Sequence, residues 1–378
     1  MHDRGPRVGG RGAGLDALRR GEIPGSTSPA DKVGHDPAMK AAEKIGTRMQ
    51  VGLIQEEKLF QAPAYQAEPF LSRMWSIRLR TGIRSPTEAY AMLKEYHYDH
   101  LIRWPRGERA AVFLTFDFQG GEDVKPDKNG FLNYEMWSQG EYGPHHAIYR
   151  LLRILKEENI KATFLTCGAI AERFPEAVQA ILDHGHVVEG HGYNHEIARY
   201  LPRDEEDQVM KKTIAMVHKR TGRRCYGWRS CTQSTNTIEL LIENGFVFNT
   251  NCFHEELPFL WEKDGKLLVE LPRQPFGDGT LFGHRHGEYG NPYHGLETWK
   301  AYFDELYSES SAERPKYIPF TMHPYIIGRP GRTLALRGII HHIKRAGDLW
   351  FPTGIELAEW CLNDVFQAEC QKLRASTG

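Results

Sequence analysis

The chain has 378 residues, 40% of them hydrophobic, and 48 basic side chains against 49 acidic ones give a formal charge of -1. That length can hold one large α/β barrel with extensions or two domains, and near-neutrality argues against a basic face for nucleic acid or an anionic membrane. No apolar run reaches the roughly 18–20 residues that cross a bilayer, and the N-terminus lacks a secretory apolar core, so a soluble, cytoplasmic protein is expected.

Residues 1–45, rich in Gly, Arg, Pro, Ser and Asp, read as a disordered leader, and Met39 or Met49 is a candidate natural start. Residues 46–103 carry aromatics and a helical stretch over 86–98 without a strand pattern. They read as an arm that buries its apolar side chains on the barrel or on a second subunit, which predicts a homo-oligomer, dimer or tetramer. The first strong strand covers 109–117, and helix and strand then alternate. Helices are predicted over 144–158, 169–184, 203–221, 235–244, 296–308 and 334–346, with a last one after Thr353. Strands are predicted over 162–166, 186–189, 224–228, 246–250, 266–271, 317–322 and 349–351. The glycine-rich segment 275–292 is long and irregular and reads as a functional lid. Within it Gly277-Asp278-Gly279 reads as a turn, and His284-Arg285-His286 as a pair that could face the pocket. Repeated β-α units imply a parallel sheet covered by helices, closed or nearly closed into a barrel over 104–365, with a tail at 366–378.

Six cysteines, Cys167, Cys225, Cys231, Cys252, Cys361 and Cys370, form no CxxC pair and suggest reduced, mostly buried thiols. The chemistry-bearing residues fall where strands end. Asp117 closes the first strand, Arg229 follows the fourth and His323 follows 317–322. His191 and His195 follow the third, four residues apart, which is a spacing that lets two imidazoles share a metal ion.

Thr115-Phe116-Asp117, His191-Gly-Tyr-Asn-His195, Gly227-Trp228-Arg229-Ser230 and Thr321-Met322-His323-Pro324, in that order, resemble the motifs of the polysaccharide deacetylase superfamily (NodB-like, carbohydrate esterase family 4). The resemblance covers roughly 104–362 and is nearer to the branch of intracellular amidohydrolases that includes allantoinases, cyclic imide hydrolases and peptidoglycan-deacetylase-like proteins. It implies a distorted (β/α) barrel with an N-terminal extension, a divalent metal, Zn2+ before others, and hydrolysis of a C–N bond. It also implies Asp117 as general base paired with Arg229, His323 as general acid, and His191, His195 and Asp117 as metal ligands. Each has a plainer alternative: Asp117 a loop cap, Arg229 a structural ion-pair partner, His323-Pro324 a rigid turn.

One departure stands out. Deacetylases of this superfamily carry a second Asp close after the first as a metal ligand, and here Phe118-Gln119-Gly120-Gly121-Glu122 stands instead. Asp117 could coordinate by itself, Glu122 could fold back to do so, or the metal is weak or absent and Gln119 binds substrate. Gly121 and its neighbour would let a planar imide or ureide lie close to the backbone, and Tyr193, Trp228 and Ser230 are further candidates for the pocket wall. The expected activity is metal-assisted hydrolysis of a small, cyclic imide- or ureide-like substrate. The alternatives are a deacetylase of N-acetylated sugar or peptidoglycan, and a catalytically inactive binding protein of the same fold.

Overall fold

The computed structural model describes residues 93–283 and 290–376. The leader, most of the arm and its helical stretch before residue 93, and His284-Arg285-His286 lie outside the described residues. The first described element is a strand, β1 (Lys94–Tyr96), so the end of the arm pairs with a sheet where a helix was expected. β2 (Ala110–Phe118) leads to helix α1 (Tyr134–Tyr142), whose N-cap Asn133 accepts from Met136 N at 3.0 Å. A π-turn then opens into α2 (Ile148–Glu157). α1 was not expected, because its polar run 133–140 has little apolar periodicity.

β3 (Thr163–Thr166) is followed by α3 (Gly168–Arg173) and α4 (Pro175–Asp183), one expected helix split at Phe174-Pro175. β4 (Val187–Gly190), α5 (Arg203–Thr221), β5 (Gly227–Trp228), α6 (Thr237–Glu243) and β6 (Phe248–Asn249) continue the alternation. Next comes a hairpin, β7 (Phe259–Lys263) and β8 (Lys266–Glu270), turned by Asp264 and Gly265 at φ 50 and 73°. An Asp-Gly pair between apolar runs is a strong hairpin signal, and the sequence reading missed it. α7 (Asp278–Phe282) and α8 (Pro292–Ser308) precede β9 (Lys316–Met322) and α9 (Pro324–Ile327). α10 (Thr333–Ala346), β10 (Leu349–Trp350), α11 (Gly354–Trp360) and α12 (Gln367–Ala375) close the chain, α11 with a capping box between Thr353 and Glu356. The expected tail therefore contains α12, and Phe366 and Cys370 are buried in the core.

The ten strands form one curled, mixed sheet in the order β1-β7-β8-β6-β5-β4-β3-β2-β10, with β9 also on β2. β1, β7 and β8 are antiparallel neighbours and the other ladders are parallel. This is the distorted (β/α) barrel expected, but as a half-barrel: among the described residues no ladder joins the β1 and β9 ends. The antiparallel hairpin at one end is what interrupts the β-α repeat.

Side-chain parity decides what faces the interior. Along β2, Ala110, Val112, Leu114 and Phe116 enter one apolar cluster, while Ala111 and Phe113 enter a second on the other face. Alternation therefore puts Thr115 and Asp117 on the face of Ala111 and Phe113. Along β9, Ile318, Phe320 and Met322 join the first cluster and Tyr317 the second, so Thr321 shares the face of Tyr317. Register pairs Thr115 with Thr321. The ladders Leu165↔Glu189, Gly190↔Trp228 and Trp228↔Asn249 bring the C-terminal strand ends to one mouth.

Candidate active site

Arg229 leaves the end of β5 and is 1% exposed. Its Nη1 donates to Asp117 Oδ1 at 2.8 Å and to the hydroxyls of Thr115 and Thr321 at 3.2 Å each, and its Nε and Nη2 donate to Thr250 at 2.9 Å. Burial alone would raise the Asp117 carboxyl. The Arg229 guanidinium, helped by His191, His323 and Arg273, outweighs it and holds Asp117 well below the usual carboxylate range. Asp117 is thus a fixed, ionised carboxylate, and its Oδ2 lies 3.8 Å from His323 Nε2.

His323 sits where β9 meets α9 and is held from its other side. Asp278, 45 positions earlier, accepts from His323 Nδ1 at 2.7 Å and from its backbone N–H at 2.8 Å. Because a carboxylate only accepts, Nδ1 carries the proton and Nε2 is the nitrogen turned toward Asp117. The turn expected at Gly277-Asp278-Gly279 is the start of α7, with Gly277 as N-cap and Asp278 fully buried. A charged residue between two glycines was the available signal for this missed residue.

His191, 2% exposed, faces Arg229 O with Nδ1 at 2.8 Å and Gln119 Oε1 with Nε2 at 3.2 Å. Burial lowers its pKa, which favours the neutral ring. His195 lies with its ring centroid 4.9 Å from that of His191, at a backbone φ of 54°. That left-handed conformation costs a non-glycine residue on the order of 1 kcal/mol and is commonest where function demands it. Asp123, which the sequence reading passed over, has its Oδ2 3.9 Å from His195 Nδ1.

Asp117, Gln119, His191, His195, Ser230 and His323 all line one cavity of about 580 Å³. Asp123, Arg273 and Tyr325 line it too and were not anticipated. Gly121, Glu122, Tyr193 and Trp228 are not in the lining. Glu122 instead accepts twice from Gly120 N, at 2.8 and 2.9 Å, and burial pushes its pKa up to about 7. A Cβ on Gly121 would sit 2.4 Å from Trp137, so this glycine makes room for protein rather than for a ligand. Tyr193 donates to Glu172 and lies under Lys212 Nζ at 3.4 Å. Trp228 is core, with its Nε1 donating to Ser230 Oγ at 2.9 Å.

A family model described as polysaccharide deacetylase matches residues 138–246. The chain is 27% identical over 276 residues to the peptidoglycan deacetylase of Helicobacter pylori, covering 64% of this chain and 89% of that protein. The chain carries a polysaccharide deacetylase domain. A solved structure of a presumed polysaccharide deacetylase from Mycobacterium smegmatis is 28% identical with a TM-score of 0.63, covering 71% of this chain and 94% of that one. PuuE allantoinase, at 24% identity, TM-score 0.64 and the same two coverages, shares the fold. The domain is that of a deacetylase-family hydrolase, an enzyme class that cleaves C–N amide bonds.

Deacetylases of this family are generally dependent on a divalent metal. In the deacetylase domain of this chain, the donor set fits such an ion through neutral groups. A metal-bound imidazole usually donates its second N–H to a carbonyl, and His191 Nδ1 does so to Arg229 O. The Nε2 lone pair then faces the Gln119 side-chain oxygen, two acceptors 3.2 Å apart that a shared cation would reconcile. Rotating the carboxamide would reconcile them as well, its N–H closing the His191 lone pair and its oxygen accepting from Tyr325 OH, 3.4 Å from the amide nitrogen. Among the described residues no group of three His, Cys, Asp and Glu is arranged around a common point for a metal. The set is one carboxylate short, and Gln119 is the reason.

Proposed function

We propose that this chain hydrolyses the C–N bond of a small, cyclic imide- or ureide-like amide, with Asp117 as general base, His323 as general acid and a divalent cation, Zn2+ first, held by His191 and His195 with Gln119. The observation that carries the reading is the shared cavity: Asp117 Oδ2 and His323 Nε2 lie 3.8 Å apart, each fixed from behind by a separate buried partner, Arg229 and Asp278. About 580 Å³ is the size of a small-ligand site. The cation, when bound, would polarise the scissile carbonyl.

The protein's own groups account for the proton movements. Asp117, ionised at neutral pH, takes a proton from the water that attacks the carbonyl carbon. His323 gives a proton from Nε2 to the departing nitrogen, and Asp278 keeps the ring aimed through Nδ1. Thr115 and Thr321 hold the Arg229 fork in the plane that Asp117 needs. Six free cysteines are consistent with a reducing, cytoplasmic setting, and among the described residues no helix is long and apolar enough to cross a membrane.

The named relatives favour a second reading, removal of an acetyl group from an N-acetylated sugar or peptidoglycan. Purified protein assayed side by side on cyclic imides, ureides and N-acetylglucosamine oligomers, with Asp117→Asn as control, separates the two. Ring opening in the first group supports the proposal, and acetate release alone replaces it with the second reading. Silence on every substrate from metal-supplemented protein would leave an inactive binding protein of this fold.

A further inference from the structure

We infer that Arg273 is an anion receptor in the catalytic cavity and that the substrate offers it a carboxylate. The inference deepens the hydrolase reading above by naming a group the substrate must carry. Arg273 follows β8 by three residues and lines the same cavity as Asp117, His191 and His323. Its backbone N–H donates to Cys252 O at 2.8 Å, which fixes the segment, and its guanidinium carbon lies 5.1 Å from the centroid of the Phe253 ring.

The side chain is nevertheless left short of partners. Its buried Nε has no hydrogen bond, and among the described residues Arg273 forms no ion pair. The two carboxylates that attract it electrostatically, Asp117 and Asp278, are engaged by Arg229 and His323. Arg229, in the same cavity wall, makes five hydrogen bonds, so a satisfied guanidinium was available to this fold. Burial pulls the Arg273 pKa down to about 10, which still leaves it cationic at neutral pH.

A desolvated cation without a counter-anion is unfavourable, and such a group is retained where a ligand completes it. Stacking on an aromatic face uses the flat side of a guanidinium and leaves its in-plane N–H donors, which match a carboxylate in a two-pronged contact. The cavity therefore has one end that does chemistry, Asp117 and His323, and one cationic point that holds an acidic substituent. A small acid amide and an acidic sugar both supply that substituent.

Equilibrium binding to the full-length protein, read by calorimetry with two matched pairs of probes, tests this. Succinamate differs from succinamide, and N-acetylmuramic acid from N-acetylglucosamine, chiefly by a carboxylate. The wild type should prefer the acidic member of at least one pair by roughly 10- to 100-fold, and which pair shows it identifies the source of the carboxylate. Arg273→Gln should bring that preference to within about twofold, the remainder expected once the charged hydrogen bonds are gone. Arg273→Lys keeps the charge but loses the planar fork, so it should bind the acidic probe severalfold more weakly.

No preference in the wild type, or a preference unchanged in Arg273→Gln, overturns the inference. Should Arg273→Gln fail to fold, unchanged affinity in Arg273→Lys does the same. Because binding is read without turnover, neutral imides hydrolysed with Arg273 dispensable would contradict this inference and leave the proposed function standing. Arg273-dependent carboxylate binding with no amide cleaved would do the reverse.

Discussion

Asp278 accepts both the ring Nδ1 and the backbone N–H of His323, at 2.7 and 2.8 Å, from a helix that begins 45 residues earlier in the chain. Two contacts from one buried carboxylate fix the position of the residue and the direction of its ring. Asp278→Asn should therefore lower kcat by roughly 10²–10⁴-fold, the range for losing a general acid or its orienting partner. KM and metal content should change little. Adding His323→Ala should cost little more, because the two act as a unit. Additive losses would separate Asp278 from the acid step.

Asp117 should be needed for turnover and for the stability of the mouth. Asp117→Asn is expected to reduce kcat by roughly 10²–10⁴-fold and to lower Tm, since Arg229 stays buried without its anion. The folded-state pKa of Asp117 lies below its ordinary value of 3.8. Its stabilisation is thus complete above that value and is lost as pH falls through the folded pKa. Melting curves from pH 6 down to pH 2 should show that loss in the wild type and less of it in Asp117→Asn.

Gln119→Asp restores a negative oxygen beside His191 and should tighten Zn2+ binding, by at least about tenfold if one charged ligand replaces a neutral one. His191→Ala and His195→Ala should each remove bound metal. Metal content of dialysed protein and titration with a chelator measure both effects. Equal affinity in the wild type and Gln119→Asp would place the cation elsewhere.

His186 supplies a pH dependence away from the mouth. Ala162 N donates to its Nδ1 at 3.2 Å, which requires a lone pair there, and burial lowers its pKa to about 4 from 6.5. The folded state therefore resists a proton that the unfolded state takes up. The associated stability is complete above pH 6.5 and is lost as pH falls toward 4. The loss should be on the order of 1–2 kcal/mol, since part of the ring is solvated. His186→Gln should flatten Tm against pH over that interval. An unchanged slope would assign the dependence to another group.

A chain starting at Trp104 would lack β1, which pairs with β7 through Lys94↔Glu262 to Tyr96↔Leu260 and adds a Lys94–Glu262 contact of 3.3 Å. Its loss should expose the edge of β7 and lower Tm or promote aggregation. Light scattering on both chains would also report whether residues before Trp104 set a homo-oligomer. A monodisperse short chain of unchanged Tm would show that the edge needs no cover.

The amino-acid sequence determined which residues stand at strand ends, because that is a matter of period and spacing. Alternation along 110–118 and 316–322 puts Thr115, Asp117 and Thr321 on an inner face whatever the partners are, and the four ordered motifs pointed to the family and the half-barrel. Tertiary structure decided which of those residues meet. Asp117 meets Arg229 across 112 positions and His191 meets Gln119 across 72, and no local pattern encodes such pairs. Asp278 looked like part of a glycine turn until the start of α7 brought its carboxylate under His323. Glu122, a plausible ligand by spacing, is turned back on its own loop by the backbone N–H of Gly120. Gly121 opens space for Trp137 and none for substrate. Strand position follows from local side-chain alternation, whereas the pairing of polar groups follows from how distant segments share the few buried donors and acceptors at the mouth.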